Sequence, residues 1–161
     1  HRVYEAIVCG SFREDSGTVD APIGRHHTDR KKMCVTQRNA KNAVTHWEVV
    51  RRYRGYTHVR CKLETGRTHQ IRVHMKSIGH PLFADEKYGG MEILKGLPTQ
   101  KYKQYIQNCF ALCPRQVLHA KTLGFRHPRT GEEMNFTSQW PEDIQNLINK
   151  WKNYEPNTLG R

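Results

Sequence analysis

The residues best equipped for chemistry crowd into one stretch, Gly66-Arg67-Thr68-His69-Gln70-Ile71-Arg72-Val73-His74-Met75-Lys76, with Gly79-His80-Pro81 behind it. Arg67, Arg72 and Lys76 sit on or beside a short helix whose free N-terminal N–H groups already favour anions, so a polyanion suits this chemistry. The same spacing also fits an ordinary amphipathic helix with its cations in water. His69 and His74 are not a metal pair: their separation turns a helix through about 140°, so the two rings cannot share one ion as an i,i+4 pair does. The adjacent His26 and His27 belong to a charged, solvated loop, and no metal site is expected.

A strand, a tight turn and a short helix must position that stretch. Leu63 ends an alternating run, Gly66 breaks it, Thr68 is the expected cap, and Ile71, Met75 and Ile78 recur at helical spacing until Gly79 and Pro81 stop the helix. The run ending at Leu63 is the return strand of a hairpin. Its outgoing strand, Thr45 to Tyr53, alternates Trp47, Val49, Arg51 and Tyr53 against polar neighbours, Arg54-Gly55 makes the turn, and Thr57, Val59, Cys61 and Leu63 form an apolar face. The opposite face, Tyr56, His58, Arg60 and Lys62, is expected to meet RNA or water. Upstream, Val3 to Gly10 is apolar on both faces, which predicts an interior strand. Gly17 to Gly24 is extended, confined by Pro22 to an edge or a strand end.

The loop from Arg25 to Met33 carries Arg25, Arg30, Lys31 and Lys32 against Asp29, and reads as an RNA-facing arm or a solvated connection. Downstream come a helix from Thr99 to Leu112 with an apolar stripe of Tyr102, Tyr105, Ile106, Cys109 and Phe110, then strands at Val117–Phe125 and Glu133–Phe136. A last helix opens at Pro141 and buries Ile144, Leu147, Ile148 and Trp151. The expected class is α+β: a mixed, largely antiparallel sheet with a few helices packed on one face, forming one domain over residues 1–154, and a disordered tail at 155–161.

Composition sets the outer limits. The chain has 161 residues, 27 lysines and arginines against 15 acidic residues, and a formal charge of +12. That excess points to a nucleic-acid partner and away from a membrane, since no apolar run approaches the roughly 20 residues of a spanning helix. The five cysteines are scattered with no C-x-x-C pair, which fits reduced thiols in a cytoplasmic compartment. Cys109 and Cys113 lie one helical turn apart, but apolar neighbours assign them to packing. The footprints of nucleotide hydrolysis, dinucleotide binding, serine hydrolysis and zinc proteolysis are all missing.

The block Gly66 to His74 with Gly79-His80-Pro81 resembles the signature of the RluA-type pseudouridine synthases, most nearly the ribosomal large-subunit synthase D group. The resemblance runs from Tyr4 to about Ile148 and takes in Asp20-Ala21-Pro22-Ile23-Gly24-Arg25, Leu118-His119-Ala120 and His127-Pro128. It implies isomerisation of chosen uridines in RNA, ribosomal or transfer, by a monomer without cofactor. By the same resemblance Tyr4 stacks on the uracil, Arg72 pairs with the catalytic carboxylate, and Leu118 lines the base pocket. Arg25, Arg30, Lys31 and Lys32, whose sign agrees with the excess charge of the whole chain, are with Arg67 and His69 the candidate RNA-binding residues. Asp85 matches a family loop aspartate that usually follows glycine and here follows Ala84. The family's His-Arg-Leu-Asp segment, which holds the nucleophile, has no counterpart here. The expectation is a C-terminal part of a longer enzyme, inactive alone. The alternative is a non-catalytic basic RNA-binding module.

Overall fold

The computed structural model of the chain describes residues 2–53, 55–91, 100–126, 128–137 and 139–159. Arg54, Thr99 and His127, together with the side chain of Tyr102, lie outside the described residues. A six-stranded sheet in the order β2-β5-β6-β1-β7-β8 forms the body, built from β1 (Arg2–Cys9), β2 (Ser16–Asp20), β5 (Val44–Arg52), β6 (Tyr56–Leu63), β7 (Leu118–Arg126) and β8 (Glu133–Thr137). Each of its pairings is antiparallel. A separate hairpin pairs β3 (Ile23–Arg25) with β4 (Met33–Val35). The helices are α1 (Gln70–Ser77), α2 (Gln100–Leu112) and α3 (Glu142–Leu159).

β1 lies between β6 and β7, as its two apolar faces require. Because side chains alternate, Ala6 and Val8 join Ile71, Met75 and Leu82 on the α1 side, while Ile7 and Cys9 join Ile106, Phe110, Ile144 and Trp151 on the side of α2 and α3. The helices therefore cover both faces of the sheet, not one.

Two further expectations about the hairpin change for identifiable reasons. The β5–β6 register slips between Val49 and Arg51, leaving Val50 as an extra, exposed residue. A bulge reverses the alternation, so Tyr53 leaves the Trp47 face and packs against Tyr56 and Trp151 on the other. The face of Tyr56, His58, Arg60 and Lys62 is likewise not simply solvent-facing: Tyr56 is fully buried. His58 Nε2 meets Glu5 Oε1 at 2.9 Å, and Arg60 reaches Glu5 Oε2 at 3.2 Å. Glu5 is itself buried, so the basic side chains of β6 neutralise a carboxylate delivered by β1.

β2 is a sheet edge, in keeping with the nearby Pro22. Past Tyr154, where the sequence suggests a disordered tail, α3 continues to Leu159. Ile144, Leu147 and Trp151 anchor the helix in the core, so its extension needs no new nucleation, although Pro156, which has no N–H, adds no hydrogen bond of its own. All five cysteines are free. Cys109 packs in the core and its Sγ accepts the Trp151 indole N–H at 3.3 Å, consistent with the packing role. No helix among the described residues is long and apolar enough to cross a membrane.

Candidate RNA-modification site

The turn between β6 and α1 is assembled by Gln70. Its Oε1 accepts the Arg67 N–H at 3.0 Å and the Thr65 hydroxyl at 2.7 Å, and its Nε2 donates to the Val44 carbonyl and Thr45 Oγ1, both at 3.0 Å. Thr68 does not cap the helix. The cap position falls to His69, whose backbone is left-handed at φ 55° and whose side chain makes no capping bond. Gln70, the first helical residue, instead ties the preceding turn to β5. His74 is fully buried: Thr45 Oγ1 lies 2.8 Å from Nδ1, and Nε2 donates to the Ala21 carbonyl at 2.8 Å. Burial holds its pKa below the ordinary 6.5. At the far end Gly79 adopts φ 87°, a left-handed stop of the kind the sequence predicts. Ile78, expected on the apolar face, is instead partly exposed.

Arg72 projects from the first turn of α1 and is gripped by a carboxylate. Its Nε donates to Asp85 Oδ2 at 2.8 Å and its Nη2 to Asp85 Oδ1 at 2.9 Å, with only 12% of the Arg72 side chain and 1% of the Asp85 side chain exposed. This fork is geometrically rigid and, among the described residues, leaves Nη1 without a hydrogen-bond partner. Arg72 also lies over the ring of Tyr88, with Cζ 4.8 Å from the centroid. Asp85 follows Ala84, which adopts φ 64°, a conformation costing an ordinary residue about 1–2 kcal/mol and glycine far less.

Around the exposed edge of Arg72 lies a cavity of about 280 Å³ whose walls include Tyr4, Arg67, His69, Arg72, Gln116 and Leu118. The sheet explains the company: Ala6 pairs with Leu118 across β1–β7, and Tyr4 lies two residues from Ala6 on the same face. Five residues singled out in the sequence, Tyr4, Arg67, His69, Arg72 and Leu118, thus meet in one opening. It continues past Gly66 and Arg67 into a recess of about 320 Å³ walled also by Arg25, Asn39 and Lys41. Arg25 and Asn39 then lead to a third recess of about 340 Å³ with His27, Arg30, Cys34 and Arg38. The result is a basic trough leading away from the pocket. Lys31 and Lys32 line none of these three recesses. Lys32 pairs with Asp29 at 4.0 Å, and the Lys31 N–H donates to Asp29 Oδ1 at 3.2 Å.

Residues 1–77 match the RNA pseudouridylate synthase family model. The chain is also 49% identical over 147 residues to the uncharacterized RNA pseudouridine synthase YlyB of Bacillus subtilis, covering 91% of this chain and 43% of that protein. To the ribosomal large subunit pseudouridine synthase D of Pseudomonas aeruginosa it is 48% identical, over 91% of this chain and 44% of that protein. The chain belongs to the RNA pseudouridylate synthase family. Among solved structures it is similar to the human RNA pseudouridylate synthase domain containing 4 protein, with a TM-score of 0.65 and 25% identity over 94% of this chain and 62% of that one. The human domain containing 1 protein gives a TM-score of 0.66 at 24% identity, covering 94% of this chain and 65% of that one. The chain spans less than half the length of the curated relatives it matches.

In this member of the pseudouridylate synthase family, several residues that shape the pocket escaped the sequence. Tyr88, Arg38 and Lys41 carried no motif of their own, and Gln70 stood inside the Gly66–His74 block without an assigned role. Asp85 was visible as a loop aspartate, but its fork with Arg72 depends on the fold of the segment from Leu82 to Gly90, which no local pattern specifies. There the Ala84 N–H donates to the Gly90 carbonyl at 3.3 Å and the Asp85 N–H to the Leu82 carbonyl at 3.1 Å.

Proposed function

We propose that this chain forms the uridine-binding part of an RNA pseudouridine synthase acting on ribosomal RNA. The observation that carries the reading is the single pocket shared by Tyr4, Arg72 and Leu118 at the head of a basic trough. An extruded uracil loses its stacking neighbours, and the Tyr4 ring offers a replacement surface beside the apolar Leu118 wall. Arg72, held from behind by Asp85, keeps its free edge for a second carboxylate, which it would orient and hold ionised for attack on the sugar. The trough takes the flanking phosphates through Arg67, Arg25 and Arg30. Ribosomal RNA is supported by the printed names of the synthase D relatives.

The nucleophilic carboxylate is proposed to come from chain beyond these 161 residues. The described lining of the pocket contains no acidic side chain, and Asp85 is already committed to Arg72. Isomerisation breaks the uracil C5–H bond, so release of tritium from RNA labelled at C5 measures turnover. In the full-length protein, Arg72→Ala is expected to abolish release, by at least about a thousandfold for a buried charge that organises the nucleophile, while RNA affinity changes little. Tyr4→Ala is expected to lose turnover too. The 161-residue chain by itself is expected to bind RNA and release none. Full turnover in Arg72→Ala with weakened, less salt-dependent binding would make Arg72 a phosphate contact and favour a non-catalytic RNA-binding role.

A further inference from the structure

Tyr88 sits where the pocket, α1 and the β3–β4 hairpin meet. It is 3% exposed and packs against Ile23 and Met33 of the hairpin and Val73 of α1. Its neighbour Lys87 donates from Nζ to the Lys31 carbonyl at 3.0 Å, so two successive residues tie this loop to the hairpin. The Tyr88 hydroxyl serves two partners. The Met33 backbone N–H, on β4, donates to it at 3.0 Å, and His69 Nδ1 lies 2.7 Å from the same oxygen.

A phenol has one proton to give. With Met33 already donating to the oxygen, the arrangement that leaves no buried polar hydrogen unpaired sends the Tyr88 proton to His69 Nδ1. The neutral imidazole must then carry its own proton on Nε2. Burial, followed by the positive charges of Arg72 and Lys87, holds the His69 pKa below the ordinary 6.5, against a smaller opposing pull from Asp85. The neutral ring is therefore the form present at pH 7. His69 is part of the wall of the Tyr4–Leu118 cavity, and among the described residues Nε2 has no partner.

We propose that Tyr88 is a positioning residue that couples the seating of the β3–β4 hairpin to the pocket, its hydroxyl fixing His69 as the Nε2–H tautomer so that a hydrogen-bond donor faces the bound nucleotide. The inference rests on the reading that the occupant is a uridine of RNA, whose carbonyl oxygens accept such a bond. The hairpin carries Arg25 and borders the trough, so RNA held there and a base held in the pocket are sensed through one hydroxyl.

Nuclear magnetic resonance of the chain with ¹⁵N-labelled histidine tests the geometry without any enzymatic readout. His69 is expected as the Nε2–H tautomer at pH 7 with a titration midpoint below 6.5. Tyr88→Phe keeps the ring under Arg72 but should give a mixed tautomer and raise the midpoint. Ile23→Ala, which loosens the hairpin while leaving Tyr88 and His69 intact, should shift the His69 resonances in the same direction. An Nδ1–H tautomer in the parent chain, or a His69 signal indifferent to both substitutions, overturns the proposal. In the full-length enzyme, His69→Ala should slow turnover roughly three- to tenfold, the effect of one hydrogen bond, and His69→Gln, which keeps an N–H donor, should recover part of it. Equal loss in both variants overturns the donor role. Absence of isomerisation in the unaltered full-length protein refutes the function proposed above, while the tautomer result still stands or falls by itself.

Discussion

Two side chains of α1 show how a sequence motif splits into working and supporting parts. Arg72 turns its Nε edge to Asp85 and its other edge to the cavity, so the carboxylate fixes the guanidinium plane. Breaking a largely buried pair leaves an uncompensated charge, and Asp85→Asn is expected to cost about 3 kcal/mol in urea unfolding of the chain. His74 has no such outward role, because both ring nitrogens are engaged inside the fold. Its depressed native pKa gives a definite sign. The unfolded state binds the proton more readily, so the stability this neutral ring contributes is complete above about pH 6.5 and is lost as the pH falls below that value toward the native one. Unfolding midpoints measured from pH 7.5 to 5 should fall in the parent chain and fall less steeply in His74→Gln, which cannot titrate.

Among the elements, the segment from Leu82 to Gly90 has the most to do per residue. It delivers Asp85 to Arg72, Tyr88 to the hairpin, and Phe83 to the α2–α3 core. A Cβ on Gly90 would come within 1.7 Å of the Leu82 carbonyl oxygen and 2.6 Å of the Asp85 nitrogen. Neither backbone atom can move without releasing Asp85. Gly90→Ala is expected to destabilise the chain by roughly 2–3 kcal/mol, the upper part of the range for overpacking, and to weaken RNA-dependent turnover in the full-length protein as Arg72 loses its anchor. Thermal unfolding and tritium release check the two parts. β1 has a comparable economy: successive residues send Tyr4 to the pocket and Glu5 to the His58–Arg60 pair on the opposite face.

For the molecule as a whole, the sheet separates two tasks. One face bears α2 and α3 and a core centred on Tyr56 and Trp151, and the other bears α1, the pocket and the approach to the trough. The net charge of +12 is distributed unevenly in function: Arg25, Arg30 and Arg38 border the trough, whereas Arg60 and Arg72 are paired with carboxylates. Replacing Arg25 and Arg38 by Gln should therefore lower RNA affinity and reduce the slope of log affinity against log salt by about one per phosphate contact removed. The same change at Lys31 and Lys32, outside the trough, should do less. Filter binding at several salt concentrations distinguishes the two pairs.

By itself the sequence determined the strand, turn and helix around Gly66, the interior place of β1, the antiparallel tendency of the sheet and the family. Each rests on periodicity, on glycine at a left-handed stop, or on a motif of adjacent letters, all of which are local. Tertiary structure alone decided which partner each charge found. Asp85 and Arg72 are far enough apart in the chain that only the fold of the Leu82–Gly90 segment brings them together, and Glu5 meets Arg60 only because β1 and β6 pair in one register. It also decided the reversal at Val50, since a bulge is fixed by the partner strand and by the core on each side, and Tyr53 had to follow the Tyr56–Trp151 cluster. Alternation predicts a face only while the ladder stays in step, and charge predicts an interface only for those side chains that the fold has not already paired.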